Sequence, residues 1–358
     1  MIAVIADDIT GAAEMAGIAH RLGLRVKLTM QPESAPDCDV LVIATDTRSM
    51  SKEDAAAESA RIAAVLGTIP GVEAIFKKTD SALRGHVVSE LEALLANTRY
   101  CKALYLPANP SKGRVIRDGV YYIGQKPLHE TDFSFDPEFP AISSKLSERL
   151  PECETKGISY TDAESESDVA EAVSTAADNT LLAGAADLFT AFLCLKFPDC
   201  KETSDKKCAF DLSDCLIICG STQSKPIDCG IATAYMPTEV YDEEKDADDW
   251  TAELTDAYNS SHALILAVRD RHRTGKHIAV YLRETMARIS DALVSCHRPA
   301  ELVIEGGATA FAILSGLGWN SFTITEEIAP GVIRMRADNG THVTMKPGSY
   351  PWGSLFEK

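Results

Sequence analysis

The sequence predicts an α/β protein with two domains, each built on a mainly parallel sheet flanked by helices. Three observations predict this fold class. The chain has 358 residues, too many for one ordinary core and suited to two domains of common size. Short apolar runs alternate with segments of helical periodicity, as in sheets whose parallel strands are joined by helices. The alternation resumes after a polar, acidic stretch near residues 159–168, so the predicted domains are 1–150 and 151–358.

In the first half, predicted strands and helices follow one another directly. Residues 2–6 are a buried strand, and residues 11–22 have apolar positions at helical spacing. An alanine-rich helix at 53–66 is ended by Gly67 and Pro70. The other elements show the same two periodicities: strands at 25–30, 40–45, 73–78 and 103–107, and a helix at 87–96. Right-handed crossovers and a parallel sheet covered on both faces follow from this order.

The middle of the chain changes character. Residues 113–130 contain an Asp118-Gly119 turn between two β-rich runs, which predicts a hairpin. This hairpin is also a candidate dimer arm, so a homodimer is one expected assembly. In the second half, strands are expected at 181–184, 215–219, 263–268 and 302–305.

The composition favours a cytoplasmic enzyme. Hydrophobic residues make up 45% of the chain and charged residues 25%, the profile of a globular enzyme. The 35 basic and 53 acidic residues give a net charge of −18, and the lack of a long Lys/Arg run argues against a nucleic-acid binder. No basic leader and no long uncharged apolar run occurs, so neither a signal peptide nor a membrane span is expected. The ten cysteines form no CxxC pair, which predicts reduced thiols and no zinc site.

Two aspartates directly follow the first strand. Asp7 and Asp8 lie in "IAVIADDITGA", where Gly11 permits a tight turn into the next helix. Ligands of parallel α/β sheets bind at the carboxyl ends of strands. Adjacent carboxylates there bind hydroxyls, act as a general base or hold a cation; alternatively, one caps the helix and the other is solvated. Haloacid-dehalogenase phosphatases need a second aspartate two residues beyond the first, and Ile9 occupies that position.

Two further strand ends carry polar side chains. Arg48 follows the third strand and is either a clamp for a carboxylate or a solvated residue. The run "KKTDSALRGH" (77–86) follows the fourth strand and offers cations, hydroxyls and an acid, or else forms a solvated turn. Because these strand ends share one sheet edge, they predict a pocket for a small sugar acid. Cations would bind its carboxylate, and aspartates and a serine its hydroxyls.

The second half has glycine-rich turns after strands, in "CGSTQ" (219–223) and "EGGATA" (305–310). Glycines at a helix N-terminus allow phosphate to approach the exposed backbone N–H groups, which predicts an anion site. Alternatively, the glycines are there for tight packing. Neither a Walker A motif nor a GxGxxG motif after a strand occurs. The tail supplies Lys346 and Gly348, either as a flap over a nucleotide or as a plain turn. The basic cluster at 269–277 is a solvated loop or borders the phosphates.

Several of these motifs together resemble the four-carbon acid sugar kinase family. In the first half they are "ADDITGA", "KKTDSALRG" and "GRVIRDGVYYIGQKPLHETDFSFDP"; in the second, "CGSTQ", "EGGATA" and "KPGS". The likeness spans almost the whole chain in the right order. It implies a substrate domain followed by a nucleotide domain, with the active site in a cleft between them. It also implies that ATP phosphorylates the terminal hydroxyl of threonate, erythronate or an oxo-tetronate, with Mg²⁺ across the phosphates.

The resemblance also implies which residues form the site. Arg84 is included with them because it is a cation of the same run after the fourth strand. The residues expected to bind the acid sugar are Asp7, Asp8, Arg48, Lys78, Thr79, Asp80, Ser81 and Arg84. Those expected to bind ATP are Ser221, Gly306, Gly307, Ala308, Thr309 and Gly348. Asp7, Asp8 and Asp80 are the candidates for accepting the hydroxyl proton, and Lys78 or Arg84 would neutralise the transferred phosphoryl group. No residue is assigned to a protein-held metal.

The chain departs from the family pattern in its second half. It is shorter than many members, and Tyr350-Pro351-Trp352 stands where a simpler Gly-aromatic-Gly ending is expected. Two other function classes remain open. A non-catalytic cytosolic sensor of sugar acids would not need phosphate-type glycine turns. No Schiff-base lysine or histidine cluster favours another sugar-acid enzyme, such as an aldolase or a phosphatase.

Overall fold

The computed structural model describes residues 1–32, 37–136, 138–202, 210–220, 227–269, 272–273, 275–348 and 350–356. The chain divides into two units, Met1–Thr203 and Ser204–Lys358. Both are α/β units with a mainly parallel sheet, which confirms the predicted fold class.

Unit 1 contains β-strands that alternate with helices over most of its length. Its strands are β1 (Ile2–Ala6), β2 (Val26–Thr29), β3 (Val40–Ala44), β4 (Ala74–Lys78), β5 (Lys102–Leu106), β6 (Arg114–Arg117), β7 (Val120–Ile123), β8 (Lys126–Pro127), β9 (Ile158–Ser159) and β10 (Thr180–Gly184). Its helices are α1 (Ile9–Arg21), α2 (Lys52–Leu66), α3 (Val87–Asn97), α4 (Leu146–Arg149), α5 (Glu166–Thr175) and α6 (Ala186–Lys196).

The main sheet of unit 1 is parallel throughout, in the order β2-β3-β1-β4-β10-β5-β9. Every residue of β1, β3 and β4 is buried. Parallel strands of this kind read as near-continuous apolar runs because both sheet faces are covered. The apolar runs of the first half were therefore a sound basis for predicting the central strands.

The predicted hairpin is confirmed. Strands β6, β7 and β8 form a small antiparallel sheet, and the turn between β6 and β7 is Asp118-Gly119. Both turn residues have positive φ, 49° and 71°, as two-residue turns that match strand twist require. A bridge between Ile116 and Ala163 ties the hairpin to the body of the unit.

The boundary between the units lies later than the predicted position at residues 150–151. Strand β10 pairs with β4 on one side and β5 on the other, inside the sheet of unit 1. Residues 151–203 therefore complete the first unit instead of opening the second. The boundary was predicted too early because strand 180–184 was assigned to the second domain from its place in the sequence. A strand of a parallel sheet can lie far in sequence from the strands that it pairs with.

Unit 2 combines parallel strands with an antiparallel end. Its strands are β11 (Cys215–Cys219), β12 (Thr233–Tyr235), β13 (Ala263–Ala267), β14 (Glu301–Glu305), β15 (Ser321–Ala329), β16 (Val332–Ala337) and β17 (His342–Lys346). Its helices are α7 (Thr238–Tyr241), α8 (Asp248–Ser261), α9 (Lys276–Cys296) and α10 (Gly307–Gly316). The order is β12-β13-β11-β14-β17-β16-β15, with β16 antiparallel to both of its neighbours. None of the helices in the described ranges has the length and hydropathy needed to cross a membrane.

Candidate functional site

The carboxyl ends of β3, β1 and β4 lie side by side. Ala6, the last residue of β1, pairs with Ala44 on one side and with Lys78 on the other. The polar segments after these strands therefore meet at one sheet edge. Thr79 and Asp80 are only 1% and 7% exposed, so the start of the run after β4 is not a solvated turn.

Arg48 connects the carboxylates of this edge. Its Nε and Nη2 donate hydrogen bonds to Asp7 Oδ2 and Oδ1 at 3.0 and 2.9 Å. Its Nη1 donates to Asp8 Oδ2 at 3.1 Å and lies 3.7 Å from Asp80 Oδ1. Arg48 is thus held by carboxylates of the protein itself, and its predicted role as a clamp for the carboxylate of a ligand stays a prediction.

Asp8 is the N-cap of α1. Its Oδ1 accepts a hydrogen bond from the backbone N–H of Gly11 at 2.9 Å, and its Oδ2 accepts one from the Thr10 hydroxyl at 2.5 Å. Its side chain is 17% exposed, more than the 3% of Asp7 or the 10% of Asp80. The capping role and a place in the charged cluster coexist in this one residue.

The three aspartates differ in how readily they accept a proton. Burial raises the pKa of the Asp7 carboxyl, and the charge of Asp8 adds to the rise against the opposing charge of Arg48. Burial acts in the same direction on Asp8, but Arg48 and the hydrogen bonds of the helix cap outweigh it and lower the pKa. For Asp80, burial is outweighed by Arg48 and Arg84, which hold its pKa far below the ordinary value. Asp7 is therefore the most basic of the three.

Asp80 organises its own loop. Arg84 Nε and Nη2 donate to Asp80 Oδ2 and Oδ1 at 3.0 and 2.9 Å, a bidentate pair. The backbone N–H of Ala82 donates to the same carboxylate at 2.9 Å. Arg84 Nη1 also lies 3.4 Å from Asp136 Oδ2, so the loop is linked to the segment beyond the hairpin.

Lys77 and Lys78, adjacent in the sequence, have different partners. Lys77 Nζ donates to Glu90 Oε2 of α3 at 2.6 Å, and both side chains are buried. Lys78 Nζ donates to the backbone carbonyl of Thr79 at 3.0 Å and lies 3.7 Å from Glu14 Oε2. Since consecutive residues of a strand point to opposite faces, only Lys78 can join the aspartates of the site.

Glu14 is a member of the cluster that the sequence analysis did not identify. It lies on α1 and forms ion pairs with both Lys78 and Lys112. Burial would raise its pKa, but these two lysines outweigh burial and lower it. An acid in the apolar helix segment "GAAEMAG" was the signal that could have revealed it.

The hairpin contacts the run that follows β4. The backbone N–H of Thr79 donates to Gly184 of β10 at 3.0 Å, which fixes the start of the run. Further along, Ser81 Oγ accepts a hydrogen bond from Arg114 Nη1, and its backbone carbonyl accepts one from the Tyr121 hydroxyl. Arg114 and Tyr121 belong to β6 and β7, and nothing local in the sequence assigned them to the site.

Two glycines are required by close approach. A Cβ on Gly11 would lie 2.6 Å from Asp8 Oδ1 and 3.0 Å from Lys78 Nζ. Gly85 has φ +92°, and a Cβ there would lie 3.3 Å from Asp7 Oδ2. The two distances from Gly11 show that Lys78 Nζ and Asp8 Oδ1 both lie beside the first turn of α1.

In unit 2, the predicted nucleotide residues lie around the start of α10. Gly306 is the N-cap, with φ 98° and no side-chain cap, and the first turn carries no acid. Ala308 is exposed and Thr309 is buried. A helix N-terminus with these properties leaves backbone N–H groups available to an anion.

The other predicted nucleotide contacts have different surroundings. A Cβ on Gly220 would lie 2.6 Å from Thr309 Oγ1, so the turn after β11 packs tightly on α10. Ser221 lies outside the described residues. Gly348 accepts a hydrogen bond through its carbonyl from Lys346 Nζ at 3.3 Å, while Lys346 also forms a buried ion pair with Glu305.

The C-terminal segment packs against the sheet of unit 2. The Tyr350 ring covers Gly331, where a Cβ would lie 2.8 Å from the ring edge. Trp352 and Phe356 pack on a buried cluster that includes Ile217 and Val303. The predicted role of this tail as a flap over a nucleotide stays a prediction.

The basic cluster of the second half is tied to acids that follow α7. Arg273 Nη2 donates to Glu243 Oε1 at 2.5 Å, and His277 Nε2 lies 3.0 Å from the same oxygen. His272 Nε2 lies 2.7 Å from Asp242 Oδ1. His272, Arg273 and His277 therefore have acidic partners within the unit.

Comparison with known proteins matches both halves of the chain to family models. Residues 2–191 match a sugar-binding N-terminal domain, and residues 229–350 match a nucleotide-binding C-terminal domain. The chain is 33% identical over 157 residues to a D-threonate kinase of Bordetella bronchiseptica, covering 40% of this chain and 38% of that protein. It is 34% identical over 148 residues to a D-erythronate kinase of Heliobacterium modesticaldum, covering 39% and 33%. The matched parts thus span well under two thirds of the length of these relatives.

Solved structures show the same fold over the full chain. A Haemophilus influenzae protein aligns with TM-score 0.74 and 21% identity, covering 99% of this chain and 98% of that one. A Salmonella typhimurium LT2 protein aligns with TM-score 0.77 and 18% identity, covering 99% and 97%. With a sugar-binding N-terminal and a nucleotide-binding C-terminal domain in this order, the chain belongs to the four-carbon acid sugar kinase family.

Proposed function

We propose that this protein transfers the γ-phosphoryl group of ATP to the terminal hydroxyl of a four-carbon acid sugar: threonate, erythronate or an oxo-tetronate. The observation that carries the proposal is the buried charged cluster after β1, β3 and β4. Relatives named D-threonate, D-erythronate and 3-oxo-tetronate kinases support the substrate class. The residues proposed to bind the sugar acid are Asp7, Asp8, Arg48, Lys78, Thr79, Asp80, Ser81 and Arg84.

The cluster suits a polyhydroxylated ligand. Asp8 is the most exposed of its aspartates, so its carboxylate is the one best placed to accept a hydrogen bond from a substrate hydroxyl. Arg48 holds both Asp7 and Asp8 in fixed orientations. Fixed acceptors of this kind orient the reacting hydroxyl before the reaction, which is most of what phosphoryl-transfer enzymes supply.

The same cluster offers an acceptor for the proton of the attacking hydroxyl and a cation for the negative charge of the phosphoryl group. The raised pKa of Asp7 makes it the preferred acceptor for the proton of the attacking hydroxyl. Lys78 Nζ, beside Asp8 at the first turn of α1, is the cation proposed to neutralise the transferred phosphoryl group. Arg84 is the weaker candidate because both Asp80 and Asp136 already pair with it.

The start of α10 fits the phosphates of ATP. Its backbone N–H groups have no capping side chain, and no acid in the first turn repels an anion. Gly306, Gly307, Ala308 and Thr309 are proposed to bind ATP there. Ser221 and Gly348 are the other residues proposed to bind ATP. Mg²⁺ is proposed as the ion that accompanies ATP, since it is bound mainly by substrate phosphates and water instead of an all-protein cage.

The test is ADP release with ATP and Mg²⁺ and a panel of acids: D- and L-threonate, D-erythronate, 2-oxo- and 3-oxo-tetronate. Turnover of at least one acid is expected. Binding of an acid and of ATP without ADP release would favour a sensor. Silence across the panel, with no ATP-dependent rise in melting temperature, would refute the kinase.

Asp8→Ser sharpens this test, because serine retains an N-cap acceptor and removes the carboxylate. We expect turnover to fall by roughly 10²-fold, because the reacting hydroxyl loses the acceptor that orients it, while the protein stays folded and ATP still shifts its melting temperature. The matched control is Ser165→Ala, which removes the N-cap of α5, a helix that contributes no side chain to the cluster. It should weaken that helix and leave turnover unchanged.

A further inference from the structure

We propose that Arg114, together with the Ser81 hydroxyl, binds the carboxylate of the acid sugar. The inference rests on the proposed function and identifies the residue that selects an acid over a neutral sugar. Arg114 lies in β6 of the hairpin, outside the strand-end motifs that define the rest of the site.

The other cations of the cluster already have carboxylate partners. Arg48 is bound to Asp7 and Asp8, and Arg84 to Asp80 and Asp136. Lys78 lies within ion-pair distance of Glu14. A substrate carboxylate would have to compete with these acids for any of the three cations.

Arg114 differs in this respect. Within the described residues it has no carboxylate partner, and its one side-chain hydrogen bond goes from Nη1 to Ser81 Oγ. Its guanidinium also lies 5.8 Å from the centroid of the Phe133 ring. A half-buried guanidinium with unused donors is the group that gains most from an incoming carboxylate.

The position of Arg114 is fixed from two sides. The Tyr121 hydroxyl, on the neighbouring strand of the hairpin, donates to the carbonyl of Ser81 and lies 3.2 Å from that of Pro107. Phe133 contacts both Arg114 and Arg84, whose guanidinium lies 5.6 Å from the same ring centroid. Arg114 is therefore held beside the loop that carries Asp80 without being neutralised by it.

Electrostatics leads to the same assignment. The carboxylates of Asp7, Asp8 and Asp80 repel a substrate carboxylate and accept hydrogen bonds from hydroxyls instead. A four-carbon acid bound with its carboxylate at Ser81 and Arg114 leaves its hydroxyl-bearing carbons to face those aspartates. Arg114 would then contribute ground-state binding, which appears in KM and in the dissociation constant more than in kcat.

The experiment compares Arg114→Gln with Arg117→Gln, an exposed residue of the same strand that is paired with Glu164. Affinity is measured by calorimetry for the acid that the wild type phosphorylates best and for the tetritol of the same configuration, which lacks the carboxylate. In Arg114→Gln, the dissociation constant and KM for the acid should rise roughly 10- to 100-fold. The dissociation constant of Arg114→Gln for the acid should approach its dissociation constant for the tetritol. The affinity for the tetritol should be the same in Arg114→Gln and in the wild type. Arg117→Gln should match the wild type.

Arg114→Lys provides a second variant, which keeps the charge and loses the planar fork; an intermediate rise is expected. Turnover by the wild type, with equal acid affinity in Arg114→Gln and Arg117→Gln, would overturn the assignment and leave the kinase intact. An equal loss of affinity for acid and tetritol would also overturn it, since that result indicates a general loss of structure. Absence of both turnover and acid binding in the wild type would instead overturn the proposed function, and this inference with it.

Discussion

Arg48 holds the carboxylate of Asp7 through two parallel hydrogen bonds, from Nε to Oδ2 at 3.0 Å and from Nη2 to Oδ1 at 2.9 Å. The same guanidinium reaches Asp8. These two carboxylates are adjacent in the sequence and are held at the end of a buried strand, where Arg48 is the cation that does most to offset their mutual repulsion.

Arg48→Lys should therefore be damaging although it keeps the charge. A lysine ammonium cannot form the fork that matches Asp7 and reach Asp8 at the same time. We expect the free energy of unfolding to fall by about 1.5–3 kcal/mol, the value of a hydrogen bond to a charged group, and turnover to be lost. Urea unfolding and the ADP-release assay measure the two effects.

Arg61→Lys is the matched control, because Arg61 also pairs with a carboxylate through two nitrogens but does so on the surface, with Glu58. That substitution should change the free energy of unfolding by less than about 1 kcal/mol. Similar losses in the two variants would contradict a special role for the Asp7 clamp.

Gly11→Ala tests the close approach at the first turn of α1. The added methyl would lie 2.6 Å from Asp8 Oδ1 and 3.0 Å from Lys78 Nζ, so one of these side chains must move. Alanine is otherwise the better helix former. We expect turnover to fall at least about tenfold, since small displacements of positioning groups are costly. Gly316→Ala is the control: it is also helical, and nothing lies within 4 Å of its added methyl. Full activity in Gly11→Ala would show that the cluster tolerates displacement.

The strand ends of unit 1 could be predicted because apolar runs and the residues after them are local features. The Asp118-Gly119 turn was equally readable, since a positive φ at both positions is a property of those two residues. Asp7, Arg48 and Asp80 come together for the same reason: parallel neighbouring strands end at one edge of the sheet.

The features that escaped prediction depend on contacts distant in sequence. Strand β10 inserts between β4 and β5, and nothing in residues 180–184 states which strands will be its neighbours. Arg114 reaches Ser81 across 33 positions of sequence, through a hairpin whose docking no local pattern encodes. Lys77 and Lys78 are neighbours in one polar run of the sequence, and their separation comes from the alternating faces of β4, which contains both.

Asp80→Asn should show a stability loss that depends on pH. The pKa of Asp80 in the folded protein lies far below its ordinary value of 3.8, because Arg48 and Arg84 outweigh the effect of burial. The ionised carboxylate therefore stabilises the folded protein fully at pH values above about 3.8, the ordinary pKa. This stabilisation is lost as the pH falls below 3.8 towards the lower pKa of the folded state. At pH 7, Asp80→Asn should be less stable than the wild type by about 1–3 kcal/mol. The difference should narrow by pH 3.

Urea unfolding at pH 7, 5 and 3 measures this difference. Glu53→Gln, which removes an exposed acid from the first turn of α2, serves as the control and should differ little from the wild type at any of these pH values. A difference for Asp80→Asn that stays constant from pH 7 to pH 3 would contradict ionic stabilisation by this residue.

Lys77→Met should separate stability from activity within the same strand. Lys77 Nζ is buried against Glu90, which also accepts hydrogen bonds from the hydroxyls of Thr47 and Ser59. Methionine fills a similar volume but leaves the Glu90 charge without its cation, so the free energy of unfolding should fall by about 3–5 kcal/mol. The double variant Lys77→Met/Glu90→Gln should recover part of that loss, since the glutamine amide can still bond to the hydroxyls. Because Lys77 is on the opposite face of β4 from Lys78, protein that remains folded should keep near-normal turnover in both variants. A loss of turnover without a loss of stability would place Lys77 in the active site instead.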